Sequence, residues 1–314
     1  MSFDFRLMKI TCVIVTYNRL VLLKECVEAV LQQSYPLYRI LILDNHSTDE
    51  TSGYLQTLED DSKIKIVSLP ENIGGAGGFS RGIKEAVLDG ADWVWVMDDD
   101  TIPNEKALEK MVDATSVTDK IGFLCSKVVW KDGTPHQMNR PGLCLEKGEL
   151  LFNSFSKENI PAFLVKHASF VSILINSEAV KEVGLPISDF FIWADDMEYT
   201  MRIVSKGYHC FYVDNSVVLH KTVANYAPYP DTAPADSAWK FYYHARNVSF
   251  LKRKIKYTNV FSFWFSTFNM YRVYLRRISK RKDGKKALFK KCIRKGCWDG
   301  LSFNPKIEYL PLDR

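Results

Sequence analysis

Apolar, β-branched runs alternate with helix-period stripes from the start of the chain. Thr11 to Tyr17 reads TCVIVTY, an extended run, and Asn18 stands where it would cap a helix with the apolar stripe Leu23, Val27, Val30 and Leu31. The pair recurs as RILILDN before STDETSGYLQTL, KIKIVSL before a glycine cluster and FSRGIKEAVLDG, and WVWVMDDD before NEKALEKMVDAT. Four strand-helix repeats predict a parallel sheet. Trp93 and Trp95 alternate with Val94 and Val96, so that strand is apolar on both faces and belongs at the centre. After Phe123 the rhythm becomes mixed. A hairpin turn is expected at Asp132-Gly133, a strand in HASFVSILIN with a short helix stopped by Gly184, a helix from Asp195-Asp196 to Gly207, and extended structure in FYVDNSVVLHK. TVANYAPYPDTAPAD, with three prolines and no period, predicts a mobile loop. Helical character resumes at SAWKFYYHARNVSFLKRK and runs through the aromatic stretch Tyr257 to Tyr271 into a basic tail. The fold class is therefore α/β: a mixed, mainly parallel sheet flanked by helices, with a C-terminal helical appendage.

Composition narrows the class. A chain of 314 residues, 46% hydrophobic and 25% charged, can bury a sizeable core. Its seven cysteines are scattered without a CxxC pair or zinc spacing, which reads as reduced thiols. The opening MSFDFRLMKITCVIVTYN lacks the order of a signal peptide, and the aromatic run is too short and too polar to span a bilayer, so a cytoplasmic location is expected. The net charge of +5 hides an asymmetry, because Lys252 to Lys295 carries 16 lysines and arginines against the single acid Asp283. Such a block beside aromatics suits an anionic membrane surface or nucleic acid; the plainer alternative is a solvated tail.

In open α/β sheets, ligands bind beyond the carboxyl ends of the strands. There the sequence places Thr16, Tyr17, Asn18 and Arg19, then Asp44 and Asn45, then Asn72 to Gly78, then Asp98, Asp99 and Asp100. The stretch NIGGAGGFSRG holds Gly74, Gly75, Gly77, Gly78 and Gly82. It is neither a P-loop, for no Lys-Ser or Lys-Thr follows, nor the dinucleotide fingerprint, which fails at Ser80. Either a ligand lies against bare backbone in a loop pinned by a helix beginning near Phe79, or the cluster is a flexible turn.

Three consecutive carboxylates at the end of a buried strand repel one another unless a cation or solvent relieves them. Mg²⁺ or Mn²⁺, completed by nucleotide phosphates, suits such a site; a solvated acidic turn is the alternative. His220 closes SVVLHK and could add a nitrogen ligand or be structural. Asp195 and Asp196 open a helix, where an N-cap and a general base look alike in sequence. Trp193 could be core or a platform for a sugar ring.

Taken together, VTYNR, LILDNHSTDET and VMDDDT, in that order from Thr11 to Lys221, resemble the inverting nucleotide-sugar glycosyltransferases of the GT-A fold. Within that group NIGGAGGFSRG, WADDMEY and YYHARN look like bacterial galactofuranosyltransferases; rhamnosyltransferases using dTDP-rhamnose are the near alternative. The resemblance implies Mn²⁺ or Mg²⁺ on Asp98, Asp100 and His220, with Asp99 facing the donor sugar. It implies uridine contacts from Asp44 and the Thr16 to Arg19 loop, diphosphate contacts from Asn72 and Arg81, and Trp193 near the sugar. Asp196 is the expected base and Asp195 orients the acceptor. It implies too a UDP-sugar donor and a glycan or lipid-linked glycan acceptor. The expected layout is a transferase domain over 1–236, with a nucleotide-binding half to about 122, and a membrane-proximal helical region over 237–314. The proline-rich loop would close over the donor. The enzyme would lie peripherally on the inner face of the cell membrane, with self-association open. The reading from another class is an inactive peripheral membrane or nucleic-acid-binding protein, which has no reason to keep Asp98, Asp100, Asp196 and His220 together.

Overall fold

The computed structural model describes residues 7–146, 149–150, 160–227, 229–256 and 260–311. Tyr257, Thr258 and Asn259 of the aromatic run, and Pro228 of the proline-rich loop, lie outside the described residues. In chain order the first half contains β1 (Ile10–Thr16), α1 (Leu20–Leu31), β2 (Arg39–Asp44), α2 (Thr51–Gln56), β3 (Ile64–Ser68), α3 (Gly74–Leu88), β4 (Trp93–Asp98), β5 (Thr101–Pro103) and α4 (Ala107–Ala114). The second half adds β6 (Ile121–Val129), β7 (Gly142–Leu143), β8 (Leu145–Glu146), β9 (Glu149–Leu150), β10 (Ala162–His167), β11 (Ile173–Asn176), α5 (Ser177–Val183), α6 (Asp195–Ser205) and β12 (His209–His220). Helices α7 (Lys240–Leu251), α8 (Val260–Ser279) and α9 (Lys286–Asp299) follow.

Among the described residues, one sheet runs β3-β2-β1-β4-β11-β6-β12-β10-β7, with β5 paired on β12. The first four strands are mutually parallel, whereas β11 lies antiparallel between β4 and β6. The strand order reverses between β1 and β4, the place where open sheets leave a crevice. Alternation along each strand builds the two layers. Val13, Val15, Val94 and Val96 pack under α3, α5 and α6, while Cys12, Ile14, Trp93, Trp95 and Met97 face α1 and α4. The expected two-faced central strand is thus β4. In α1, Cys26 joins Leu23, Val27 and Val30 in the core, and Leu31 is 49% exposed, one step past the buried stripe.

The glycine cluster has a different cause from the one its sequence suggests. Helix α3 begins at Gly74, not near Phe79, so the glycines lie inside a helix and not in a ligand loop. They are there because the helix sits very close to its neighbours. A Cβ on Gly82 would stand 2.4 Å from Val13 Cγ1, one on Gly78 2.7 Å from Val15 Cγ1, and one on Gly74, whose φ is +76°, 2.2 Å from Phe191 O. Gly75 alone of the five is open, its nearest neighbour being 4.0 Å away on Phe79, whereas a Cβ on Gly77 would stand 2.8 Å from Ile73 Cγ1. We expect Gly82→Ala to destabilise the fold by about 1–2 kcal/mol, since overpacking against a rigid β-branched side chain outweighs the gain in helix propensity. Gly75→Ala should leave the denaturation midpoint unchanged or raised, and urea titrations of both variants check this.

Helices α7 to α9 close around Phe241, Ala245, Tyr274, Phe289 and Ile293. The other face of α7 places Phe250 and Leu251 on Ala76, Ile187 and Phe190. The proline-rich segment, expected as a mobile loop, makes contacts at both ends. Trp130 Nε1 donates to Thr222 O at 3.2 Å, and Arg281 Nη1 donates to the carbonyls of Pro230 and Ala233 at 2.6 and 2.8 Å. Arg277 stacks 3.6 Å from the Tyr229 ring and pairs with Asp231 at 3.2 Å. Proline removes backbone donors, and side chains supply what the missing ladder would have satisfied. Among the described residues, no helix is long and apolar enough to cross a membrane. All seven cysteines are free thiols.

Candidate active site

The carboxyl ends of β1, β2 and β4 meet at the switch point. Because β1 and β4 are in register with Val15 opposite Asp98, the next residue of each strand brings Thr16 beside Asp99. Thr16 Oγ1 donates to Asp99 Oδ2 at 2.8 Å, the Tyr17 amide to the same oxygen at 3.4 Å, and Arg19 Nη1 to Asp99 Oδ1 at 3.3 Å. Asp99, the residue expected to face a donor sugar, is thereby held against the first loop. Asn18 does not cap α1 either. At φ +53° its Oδ1 accepts from the amides of Thr48 and Asp49, at 2.7 and 3.3 Å, tying the first loop to the one after β2.

Other expected donor contacts are largely engaged within the protein. Asp44 is buried and accepts from the Ser47 amide at 2.9 Å. Asn45, also buried, bonds Gly74 O and the Ile73 amide, both at 3.0 Å. Asn72 Oδ1 accepts from the Gly74 amide at 2.8 Å, steering the chain into α3. Arg81 lies on the exposed side of α3 and pairs with Glu85 at 2.8 Å, so its guanidinium is engaged along its own helix and shows no contact with the acidic site. Tyr17, 43% exposed, stands beside the exposed Asn18 and Arg19 in the first loop, and Gly75 has open space where a side chain would stand.

The acidic triplet does meet His220. Pairing of β12 with β5 sets His220 opposite Thr101, directly after Asp100. Ligand atoms of Asp98, Asp100 and His220 all lie within 4.8 Å of one another. His220 Nδ1 stands 2.8 Å from Asn139 Oδ1, which can only accept, so that nitrogen carries the proton and Nε2 keeps its lone pair. Nε2 is 3.0 Å from Asp100 Oδ1, a buried atom with no hydrogen-bond donor unless the ring takes a second proton. Nε2 and Asp100 Oδ1 can therefore share either that second proton or a hard cation, and two carboxylates with one imidazole nitrogen are a donor set that fits Mn²⁺ or Mg²⁺. Neither Asn139 nor His136, which stacks on His220 with ring centres 4.5 Å apart, was signalled by the sequence pattern.

Charges agree with this geometry. Burial, and then Asp100, push Asp98 up to about 7, while His220 and Arg19 oppose the shift. For Asp100 burial is outweighed by the hydrogen bond and charge of a protonated His220 ring and by Arg19, which hold it down at about 2, and the same bond raises His220 against its burial, so a cation would take the place of that second proton. Arg19 Nη1 is 2.6 Å from Asp100 Oδ2, so one guanidinium serves two of the three carboxylates. An added cation would relieve the remaining repulsion.

Asp195 and Asp196 lie in the first turn of α6, and Ala194, at φ +70°, takes the cap position. Neither carboxylate is an ordinary N-cap. Burial pushes Asp195 well above the usual carboxylate range, with Asp196 and Asp98 adding to it. Burial raises Asp196 to about 6 against hydrogen bonds that lower it, notably from the Met197 amide at 2.7 Å. Lys240 of α7 approaches from the other side, 5.9 Å from the Trp193 ring, its ammonium pushed down by burial and by Arg19.

The model of the family described as glycosyl transferase family 2 matches residues 11–184, more than half of the chain. The chain belongs to glycosyl transferase family 2. Over 202 residues, 63% of this chain and 66% of the relative, it is 28% identical to a galactofuranosyltransferase, GlfT1, of Mycolicibacterium smegmatis. Over 208 residues it is 24% identical to poly-beta-1,6-N-acetyl-D-glucosamine synthase of Staphylococcus aureus, covering 65% of this chain and 47% of that protein. The chain thus spans no more than about two thirds of these curated relatives. Among solved structures, GalNAc-T7 with UDP, GalNAc and Mn²⁺ superposes with a TM-score of 0.61 at 16% identity, over 93% of this chain and 55% of that one. S. aureus TarS 1-349 in complex with UDP gives 0.51 at 16% identity, over 94% and 90%. These likenesses establish the GT-A fold.

Asp195, Asp196 and His220 lie beyond the part of the chain that matches the family 2 model; the fold brings His220 to the triplet and sets Asp195 near enough to Asp98 to feel its charge. What aims α6 of this family 2 chain is α7. Residues Phe191, Trp193 and Ala194 all have φ between 65° and 70°, which costs each about 1–3 kcal/mol. Buried Asn247 holds them there. Its Nδ2 donates to the carbonyls of Phe190, Ile192 and Trp193 at 3.0, 3.2 and 2.9 Å, and Arg246 Nη2 donates to Asp189 O at 2.6 Å. Trp193 rests edge-on against Phe241 and His244, so it is packed from one side. Both clamping residues sit in YYHARN, a motif the sequence showed without revealing its task. We expect Asn247→Leu to cost about 2–4 kcal/mol, from buried carbonyls left unpaired, and to lower kcat more than it raises KM. Thermal denaturation with steady-state kinetics tests both.

Proposed function

We propose that this chain moves a hexosyl group, galactofuranose, from UDP-galactofuranose to a hydroxyl of a cell-surface polysaccharide or lipid-linked oligosaccharide, with inversion. The observation that carries the reading is the convergence of Asp98, Asp100 and His220, with Asp195 within reach of the Asp98 charge, in a family 2 fold. Asp98, Asp100 and His220 would hold Mn²⁺ or Mg²⁺, which when bound offsets the charge that grows on the leaving diphosphate. Tyr17 and the Gly75 backbone present the open crevice surface to the nucleotide, while Arg19 holds the first loop against the triplet. Asp196 accepts the proton of the acceptor hydroxyl as that oxygen attacks the anomeric carbon from the face opposite UDP. Asp195, held protonated by burial and by its neighbour, donates a hydrogen bond that orients the acceptor. No carboxylate nucleophile is required, hence inversion.

The galactofuranose preference is supported by the similarity to GlfT1. In this reading residues 1–236 carry the chemistry, and the helices of 237–314 rest on an anionic bilayer where the acceptor is held. Trp264, Phe265 and Phe268 form an exposed stripe on α8 with the inward stripe Phe263, Thr267, Met270 and Tyr274 behind it, so this helix is apolar on two sides. A second face of that kind needs a partner, and the cations of α8 and α9 favour an anionic surface. One panel tests the enzyme: purified protein with Mn²⁺ and several UDP- and dTDP-sugars, product masses read out, and chelator as control. Transfer from UDP-galactofuranose alone supports the reading. Turnover of dTDP-rhamnose in its place would replace the donor, and no metal-dependent turnover of any donor would favour a binding protein.

A further inference from the structure

A cavity of about 640 Å³ opens between α8 and α9, and none of its lining residues belongs to the acidic site. The rings of Trp264, Phe268, Tyr271 and Trp298 line it together with Cys297 and Leu301. Two features set it apart from an ordinary gap between helices. The Thr267 hydroxyl in its wall is buried and has no hydrogen-bond partner, although a buried hydroxyl is costly to leave unpaired. At the solvent edge stand three cations, of which Lys295 is paired with Asp299 at 2.8 Å, while Lys291 and Arg294 are exposed and have no acidic partner among the described residues.

An apolar slot, an isolated hydroxyl in its wall and unpaired cations at its mouth match the three parts of one molecule. We infer that the cleft between α8 and α9 is a binding site for a single anionic glycerophospholipid. The acyl chain lies among the rings, an ester carbonyl accepts from Thr267, and the phosphate meets Lys291 and Arg294. This deepens the bilayer contact proposed above and rests on it for the source of the lipid. It adds that one lipid leaves the bilayer plane to enter the protein, which a flat electrostatic contact does not require.

The full chain is titrated with dihexanoyl phosphatidylglycerol below its micelle concentration, and tryptophan emission and heat are followed. Saturable one-to-one binding is expected. Dihexanoyl phosphatidylcholine should bind about tenfold more weakly, and glycerol phosphate or a short oligonucleotide should not compete. Thr267→Val, which keeps the shape and removes the hydroxyl, should weaken binding about fivefold, the loss of roughly one neutral hydrogen bond. Lys291→Glu with Arg294→Glu should abolish the preference for the anionic head. A second measurement, sedimentation with phosphatidylglycerol vesicles at low salt, reads the bilayer contact by itself. Vesicle binding without saturable binding of monomeric lipid overturns the cleft and leaves the bilayer contact standing. Binding of monomeric lipid without sedimentation supports the cleft and removes the bilayer contact. Displacement by the oligonucleotide overturns the lipid assignment.

Discussion

Asp196→Asn is expected to lower the transfer rate by about 10²–10⁴-fold, the usual contribution of a positioned base, while UDP binding stays within about twofold. The reason lies in where α6 starts. Burial raises Asp196 to about 6, so it is ionised at neutral pH yet basic enough to take a proton in the transition state. The wild-type rate should therefore fall about tenfold per pH unit below 6, and that acid limb should vanish in the variant. The sign of the stability change gives an independent check. A carboxyl whose folded pKa lies above its unfolded value near 3.8 is favoured folded only in its protonated form. Stability thus declines as pH rises from about 4 to about 6, and an uncharged asparagine escapes the loss. An inactive variant that melts no lower than wild type at pH 7 is the expected pairing. A variant that retains full activity would move the base to Asp195.

Asp100→Ala should be nearly as severe and should differ in kind. Asp100 is a candidate metal ligand, a partner of Arg19 at 2.6 Å and the carboxylate nearest His220. Chelator should silence the wild-type enzyme, and added Mn²⁺ should restore it. In the variant, rescue should require at least about tenfold to a hundredfold more metal, with transfer still reduced. Asn139→Ala provides the graded control. Asn139 touches no expected ligand other than His220 and fixes which ring nitrogen holds the proton, so its loss should weaken metal affinity by about tenfold and leave the acid limb near pH 6 unmoved. Mn²⁺ binding followed by calorimetry measures this directly, without turnover.

Much of this molecule could be read from the residues in order. The period-2 runs from Thr11 to Asp98 separated by helical stripes defined the strands and helices of the first half, because alternation of side chains across a sheet is a local property. The acidic triplet, the Asp195-Asp196 pair and His220 stood out for the same reason, being polar residues at the ends of apolar runs. What those residues touch was not local. The glycines show the difference best. A sequence can show that Cβ atoms are missing at Gly74, Gly78 and Gly82, yet whether a ligand, Val13 and Val15, or the Phe191 carbonyl fills the space depends on which element packs there. Asp99 meets the Thr16 hydroxyl because β1 and β4 pair in one register. Asn139, on a different stretch of chain, reaches His220 only through the tertiary fold. The left-handed turn that aims α6 is held by Asn247, more than fifty residues on, because only the tertiary fold can bring its amide to the carbonyls of Phe190, Ile192 and Trp193 around that turn. Sequence alone determined the sheet's order of apolar runs and the chemistry available at their ends. Tertiary packing decided which of those groups are engaged by the protein itself and which remain turned toward a ligand, since contacts between distant segments are set by register and close approach and leave no periodic trace along the chain.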